Sequence, residues 1–215
     1  MRVLISILPV LFYLIFLIAI DSHKIIKYSY LFFYLLFGII ASSIAFIVNG
    51  WIYQILIANR NNVGFLYLMI VPLIEDLVKT IPIIILLLRM KNIHFLSLIT
   101  ISGSIGLGYS ILVNIFVLKS MAKFTPALPL MLHGLGLALE NILIMMCFTL
   151  ITLSMLKKNI SVITACIVSI LLSYALHILF NFISYNLFLL WFLSLTTLIF
   201  LFYIFQILNK KGETI

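Results

Sequence analysis

Three charged side chains stand close together in an otherwise apolar stretch of the chain. Glu75, Asp76 and Lys79 lie within residues 64–88, a stretch of the length that a helix needs to cross a bilayer. An ionised side chain at mid-bilayer costs about 2.5 to 3.5 kcal/mol on insertion scales, so such residues indicate a functional site. On a helix Lys79 can reach either acid, but one lysine cannot neutralise both. The remaining carboxyl group must therefore be protonated, bind a metal ion or face water.

Two histidines also lie inside apolar runs. His133 and His177 occupy different runs, and Asn181 follows His177 by four residues, on the same helical face. At about 1.5 Å per residue, Glu75 and both histidines lie roughly 10 to 15 Å from the outer ends of their spans. Glu140 follows His133 by seven residues, two turns deeper on the same face. We expect a structural hydrogen-bonding role for Glu140 because of that depth.

Carboxylates, imidazoles and an amide at one depth fit the hydrolysis of an amide bond. A carboxylate in a low-dielectric site can take a proton from water as a general base. Histidine can bind Zn²⁺ or stabilise an oxyanion, and asparagine can donate a hydrogen bond to the same oxyanion. The chain has no HExxH motif and no Ser or Cys in a nucleophile motif, so neither a zincin nor a serine protease is indicated.

The composition is that of a polytopic membrane protein. Of 215 residues, 66% are hydrophobic and 8% are charged, which excludes an ordinary soluble domain. The formal charge of +8 comes from 13 Lys and Arg against 5 acids. No basic run is interleaved with aromatic residues, so we expect no nucleic-acid partner. Cys147 and Cys166 lie in apolar runs without metal-ligand spacing.

Hydropathy predicts an all-α bundle of about seven transmembrane helices in one integral membrane domain, residues 1–215, with a catalytic-like core at about 64–184. The predicted spans are 3–20, 30–48, 64–88, 93–118, 127–156, 162–184 and 186–208. Asn49 and Gly50 interrupt a longer apolar run, and we expect the second helix to continue through residues 49–60. Ser102, Gly106 and Ser110 recur at four-residue spacing, which favours close helix packing in the fourth span.

Loop cations predict the orientation of the bundle. One side carries four of them and the other side eight, and the side richer in Lys and Arg faces the cytoplasm. This places the N-terminus outside and the C-terminus in the cytoplasm of a multi-pass cell-membrane protein. The two groups are Arg2, Arg60, Lys119 and Lys123 outside, and Lys24, Lys27, Arg89, Lys91, Lys157, Lys158, Lys210 and Lys211 inside.

The order of these polar motifs resembles the PrsW-type intramembrane proteases, which form a superfamily with the CAAX-protease and bacteriocin-processing enzymes. The resemblance covers about residues 21–181. It is carried by Glu75-Asp76-x-x-Lys79 after Pro72, GLGYSILVN at 106–114, His133, and His177-x-x-x-Asn181.

The resemblance implies a role for each of these residues. Glu75 would be the general base that activates water, with Asp76 and Lys79 tuning its charge, and Asn181 would complete the oxyanion site. The implied substrate is a single-span membrane protein or a membrane-bound peptide within the lipid bilayer, cleaved near the extracytoplasmic surface.

A metal ion is the second implication of the resemblance. His133 and His177 would bind a catalytic metal, with Zn²⁺ held by Glu75 and both histidines, or would instead hold the water and the oxyanion. The enzyme would accordingly be either a metalloprotease or a glutamate-type protease.

Two positions depart from the family pattern. Asp76 stands where the family has a second glutamate, and Val113 stands where it has a glutamate before the asparagine of the glycine-rich segment. The missing acid motivates an alternative, a catalytically silent relative that acts as a membrane binding or immunity-type protein. Chains of carboxylates, lysine and histidine also carry protons through bundles, so a proton-relay transporter is a further alternative.

Overall fold

The structure is a computed structural model, and it describes most of the chain. The described residues are 11, 13–15, 28–58, 63–89, 95–121, 125–183 and 186–209. The predicted first span lies largely outside them, as do Lys24, Arg60, Lys91 and the chain ends.

Helices make up almost all of the described chain. Residues 11 and 13–15 belong to helix α1, and six longer helices follow. They are α2 (Tyr28–Ala58), α3 (Val63–Arg89), α4 (Phe95–Met121), α5 (Ala127–Leu156), α6 (Val162–Ile183) and α7 (Leu187–Asn209). The predicted all-α class is confirmed for the described residues, which contain no strand. The predicted continuation of α2 through Asn49 and Gly50 is also confirmed.

Four of these helices are long and apolar enough to cross a membrane: α2, α4, α5 and α6. Helix α3 has 27 residues, but it carries three charged side chains in its middle, Glu75, Asp76 and Lys79, more than a stretch of the other four holds. The described apolar stretch of α7, Leu187–Phe200, is shorter than the other four. The chain therefore has the character of a membrane protein.

Helices α4 and α5 form the centre of the bundle. In their apolar segments 78% and 83% of the residues are buried, against 33% in α2 and 28% in α6. Small residues allow this close packing, because a Cβ at Gly106 would overlap the backbone of Asn141 on α5, and one at Gly108 would overlap the backbone of Leu35 on α2. The predicted role of the small residues of α4 is confirmed at Gly106.

Helix α3 carries Glu75, Asp76 and Lys79. It lies between α2 and α6 and has fewer contacts with α4 and α5. Pro72 and Pro82 are both inside it, and the helix continues past each of them. This position lets one helix present its charged side chains to residues of α2, α5 and α6.

Candidate functional site

The centre of the polar cluster is a buried ion pair. Lys79 Nζ lies 3.0 Å from Asp76 Oδ1, and both side chains are fully buried. Lys79 also donates a hydrogen bond to Asn141 Oδ1 on α5 at 3.2 Å, and its Nζ lies 4.5 Å from the ring centroid of Tyr109 on α4. The lysine is thus paired with Asp76, and Glu75 is the acid that it leaves unpaired.

His177 joins three carboxylates from two helices. Its Nδ1 lies 2.9 Å from Asp76 Oδ1, while its Nε2 lies 3.6 Å from Glu75 Oε2 and 3.9 Å from Glu140 Oε1. A carboxylate only accepts hydrogen bonds, so Nδ1 donates to Asp76. This bond fixes the ring orientation and leaves Nε2 directed at Glu75 and Glu140.

Glu75 differs from its buried neighbours because it borders a cavity. Its Oε1 accepts a hydrogen bond from Asn49 Nδ2 at 3.1 Å, and its side chain is 17% exposed. The cavity has a volume of about 340 Å³. Its lining residues come from α2, α3 and α4: Ser42, Phe46, Asn49, Gly50, Tyr53, Tyr67, Val71, Glu75, Tyr109, Val113 and Phe116. Three states were expected for the unpaired carboxyl group. Because Glu75 borders this cavity, the structure favours the state in which the carboxyl group faces water.

Glu140 is closer to the cluster than the sequence indicated. Its spacing places it in the cytoplasmic half of the bundle, as a structural hydrogen-bonding group, yet its Oε1 lies 3.9 Å from His177 Nε2. That expectation counted only the rise of the backbone, whereas helices cross at an angle and a glutamate side chain reaches along the helix. Its second oxygen, Oε2, is buried without a hydrogen-bond partner among the described residues.

His133 stays apart from the acids. It is buried on α5, but among the described residues no ion pair joins it to Glu75, Asp76 or Glu140. The carbonyl of the next residue, Gly134, accepts a hydrogen bond from Nδ2 of Asn114, a buried residue of α4, at 3.1 Å.

Asn181, the last of the predicted site residues, lies one turn after His177 on α6 and is partly buried. Its role in an oxyanion site stays a prediction. The structure therefore brings four of the six predicted residues together, namely Glu75, Asp76, Lys79 and His177.

The residues do not fit the Zn²⁺ site that the resemblance implies. Across the described part of the chain, no group of three or more His, Cys, Asp or Glu side chains has an arrangement that could hold a metal ion. Of the implied ligands, Glu75 and His177 meet but His133 does not join them. The ammonium group of Lys79 beside Asp76 adds a positive charge that would repel a cation. We therefore derive no step through a metal.

Three further residues belong to the site, and each has only a weak signal in the sequence. Asn49 holds Glu75, Asn141 accepts from Lys79, and Tyr109 lies between the cavity and the lysine. Each is a polar side chain within an apolar helix. Hydropathy marks such residues as unusual, but it does not show which charged side chain each one contacts.

Comparisons with known proteins do not identify the chain: no protein-family model, no curated protein and no solved structure matches it. Its function is therefore inferred from the side chains of the site and from their arrangement.

Proposed function

We propose that this chain is an intramembrane peptidase of the PrsW type in which Glu75 activates the attacking water. The observation that carries the proposal is the arrangement Asp76–His177–Glu75. One ring nitrogen of His177 is held by Asp76 at 2.9 Å, and the other is directed at Glu75 at 3.6 Å. Glu75 borders the cavity in which a substrate carbonyl and a water molecule have room to meet.

The proposed reaction uses only these side chains. Glu75 takes a proton from water, and the resulting hydroxide attacks the carbonyl carbon of the scissile bond, whose π electrons move onto the oxygen. Glu75 then delivers this proton to the leaving nitrogen as the carbon–nitrogen bond breaks and the carbonyl forms again, which restores the carboxylate and leaves a carboxylic acid and an amine as products. His177, held by Asp76, keeps Glu75 in the position that both transfers need.

The proposal includes an orientation and a substrate class. We place seven spans in the cell membrane with the N-terminus outside and the C-terminus in the cytoplasm, as the distribution of loop cations favours. The cavity is lined by the second half of α2, the first half of α3 and the second half of α4. In this orientation all three segments belong to the extracytoplasmic half of the bundle. The substrate is a single-span membrane protein or membrane-bound peptide cut on that side.

The test compares membranes from cells that express the wild type, Glu75→Gln or His177→Gln. New peptide termini in single-span membrane proteins are measured by quantitative mass spectrometry. We expect termini that depend on the wild type and that fall about 100-fold or more in Glu75→Gln, since general-base catalysis contributes about 10² to 10⁴ in rate. Leu77→Ala is the matched control, because Leu77 lies on the same turn of α3 with its side chain exposed on the outside of the bundle.

The outcome also decides between peptidase and silent relative. If Glu75→Gln and His177→Gln both fold and both produce the wild-type set of termini, the peptidase proposal is wrong. If no termini depend on the protein and both variants support full function in cells, the binding or immunity-type alternative is favoured.

One observation favours a proton relay as a second candidate. Glu75, His177 and Glu140 form a row with gaps of 3.6 and 3.9 Å between neighbouring groups, and such rows carry protons in membrane pumps. A proton flux into proteoliposomes that Glu140→Gln abolishes, without any new peptide termini, would support the relay over the peptidase.

A further inference from the structure

The cavity beside Glu75 has aromatic walls contributed by three helices. Phe46 of α2 and Phe116 of α4 stack with their ring centroids 4.6 Å apart and 9° between the ring planes. Tyr53 of α2 and Tyr67 of α3 meet edge to face at 5.5 Å. Aromatic ring faces are apolar and also attract cations.

The polar end of the cavity offers acceptors of hydrogen bonds. Asn49 Nδ2 donates to Glu75 Oε1, and this bond turns the amide oxygen of Asn49 away from the carboxylate. That oxygen, Oδ1, is buried without a hydrogen-bond partner among the described residues, and Asn49 as a whole is 6% exposed. The carboxylate of Glu75 is therefore the group that the cavity offers to a ligand, and it selects one that donates hydrogen bonds.

The charge of the lining residues further restricts the chemical class of the ligand. Among the lining residues that the structure describes, Glu75 is the one with a charged side chain. A phosphate or carboxylate on a ligand would meet no counter-charge among these residues, which disfavours a phospholipid headgroup. A primary ammonium has three donors and no acceptor, and hydrogen bonds between ionised partners are roughly twice as strong as neutral ones.

We propose that this cavity binds a primary ammonium group carried on a small apolar body. Glu75 accepts from the ammonium, and the rings of Phe46, Tyr67 and Tyr109 surround the apolar part. The volume of about 340 Å³ lies at the lower end of the range of small-molecule pockets, about 300 to 1,000 Å³. A ligand of this kind is a free amine or the lysine side chain of an apolar peptide.

The binding site goes beyond the proposed peptidase, because it needs no hydrolysis, although the two share Glu75. A bound ammonium occupies the carboxylate that would activate water. If the peptidase proposal holds as well, apolar primary amines inhibit cleavage in competition with the substrate.

The experiment measures binding of 2-phenylethylamine to the purified full-length protein in phosphatidylcholine nanodiscs by isothermal titration calorimetry. The comparison ligands are 2-phenylethanol, which lacks the charge, and trimethyl(2-phenylethyl)ammonium, which keeps the charge but has no donors. We expect saturable one-site binding of the primary amine, about tenfold or more tighter than either comparison ligand. Nanodiscs without protein correct for partition into lipid.

A second arm identifies the source of the ammonium. An N-acetylated apolar peptide with one lysine is titrated into the complex with 2-phenylethylamine, beside the same peptide with norleucine in place of lysine. Displacement by the lysine peptide alone indicates a peptide ligand. Displacement by neither indicates a free amine.

Variants locate the site within the protein. Glu75→Gln should weaken binding of the amine about tenfold or more, and Phe46→Leu should weaken it without loss of folding, because Phe46 is 57% exposed. Phe33→Leu is the matched control, an exposed phenylalanine of the same helix outside the cavity. His177→Gln should retain binding, since His177 does not line the cavity, and should abolish the proposed cleavage.

These results separate the two proposals. Loss of cleavage with retained binding in His177→Gln supports both, and binding without any cleavage by the wild type supports the amine site alone. The amine site is wrong if 2-phenylethanol binds as tightly as the amine, if folded Glu75→Gln and Phe46→Leu bind it as the wild type does, or if the wild type shows no saturable binding.

Discussion

Lys79 and Asp76 form the contact on which the other polar side chains of the bundle depend. Both are fully buried, so neither charge has access to water. A buried ion pair adds little net stability because desolvation offsets the attraction, but the loss of one partner leaves an uncompensated charge and costs about 3 to 5 kcal/mol. The additional contacts of Lys79 with Asn141 and Tyr109 satisfy the ammonium group further.

The first prediction concerns the ion pair between Lys79 and Asp76. Lys79→Met should lower the free energy of unfolding by about 3 to 5 kcal/mol, because Asp76 loses its cation inside the bundle. The double variant Lys79→Met/Asp76→Leu should cost less than the sum of its two single changes. Denaturation in mixed micelles of SDS measures the differences. Lys158→Met, in an exposed turn after α5, should change stability by no more than about 0.5 kcal/mol.

Additive effects would contradict this account. If the double variant costs as much as the two single variants together, Asp76 and Lys79 do not interact energetically, and the position of His177 must have another cause.

At the level of helices, glycines decide how closely α2 and α4 approach. A Cβ at Gly38 would overlap the backbone of Ile105 and Tyr109, and one at Gly108 would overlap the backbone of Leu35. Backbone atoms cannot move aside as the end of a flexible side chain can, so any larger residue must push the two helices apart. Because Asn49 is on α2 and Tyr109 on α4, the same approach determines the width of the cavity.

The close approach of α2 and α4 predicts that Gly38→Ala lowers the stability of the protein. We expect a cost of about 1 to 3 kcal/mol, the usual range for overpacking, measured by thermal unfolding in detergent. Gly50→Ala on the same helix is the control, because a Cβ there meets nothing within 4 Å. An equal effect of both substitutions would show that helix propensity, and not the contact between α2 and α4, governs the result.

Between α4 and α5, polar contacts accompany the close packing. The hydroxyl groups of Ser102 and Thr149 hydrogen-bond across the two helices, and Ser102 also donates to the carbonyl of Leu98 in its own helix at 2.6 Å. Hydroxyls that bond to their own helix can be buried in a bundle without a large desolvation cost. These contacts add to the packing of α4 against α5, the helix that carries Glu140 and Asn141.

The orientation of the whole molecule in the membrane determines on which side of the bilayer the site lies. The loops predicted to face the cytoplasm hold eight cations against four on the other side. The turn after α5, with Lys157 and Lys158, belongs to the predicted cytoplasmic set, and Asn186, between α6 and α7, is predicted to lie on the opposite side.

Reporter fusions test this orientation. Alkaline phosphatase joined after Lys158 should be inactive, because the enzyme folds only outside the cytoplasm, and a fusion after Asn186 should be active. A green fluorescent protein at the same two positions should show the reverse. Active phosphatase after Lys158 would place the cavity and Glu75 in the cytoplasmic half, contrary to the proposed cleavage on the outer side.

The amino-acid sequence alone predicted the helices and marked the polar residues whose burial needs an explanation. Hydropathy along the chain is a local property, so it predicted α2 to α7 closely, and it marked Glu75, Asp76, Lys79 and His177 as polar groups within apolar segments. It did not determine which of these groups meet. Contact depends on how the helices rotate and cross, which follows from packing between residues distant in sequence, such as Gly38 against Ile105.

The contacts in the tertiary structure show which polar residues belong to the cluster. It brought His177 to both acids of α3, added Glu140 to the same imidazole and left His133 outside that group. His133 and Glu140 share one helical face by their spacing, yet one of them meets His177 and the other does not. A helical face extends over several turns, whereas an ion pair requires atoms within about 4 Å, and only the packing of α5 against α6 fixes which turn lies at that distance.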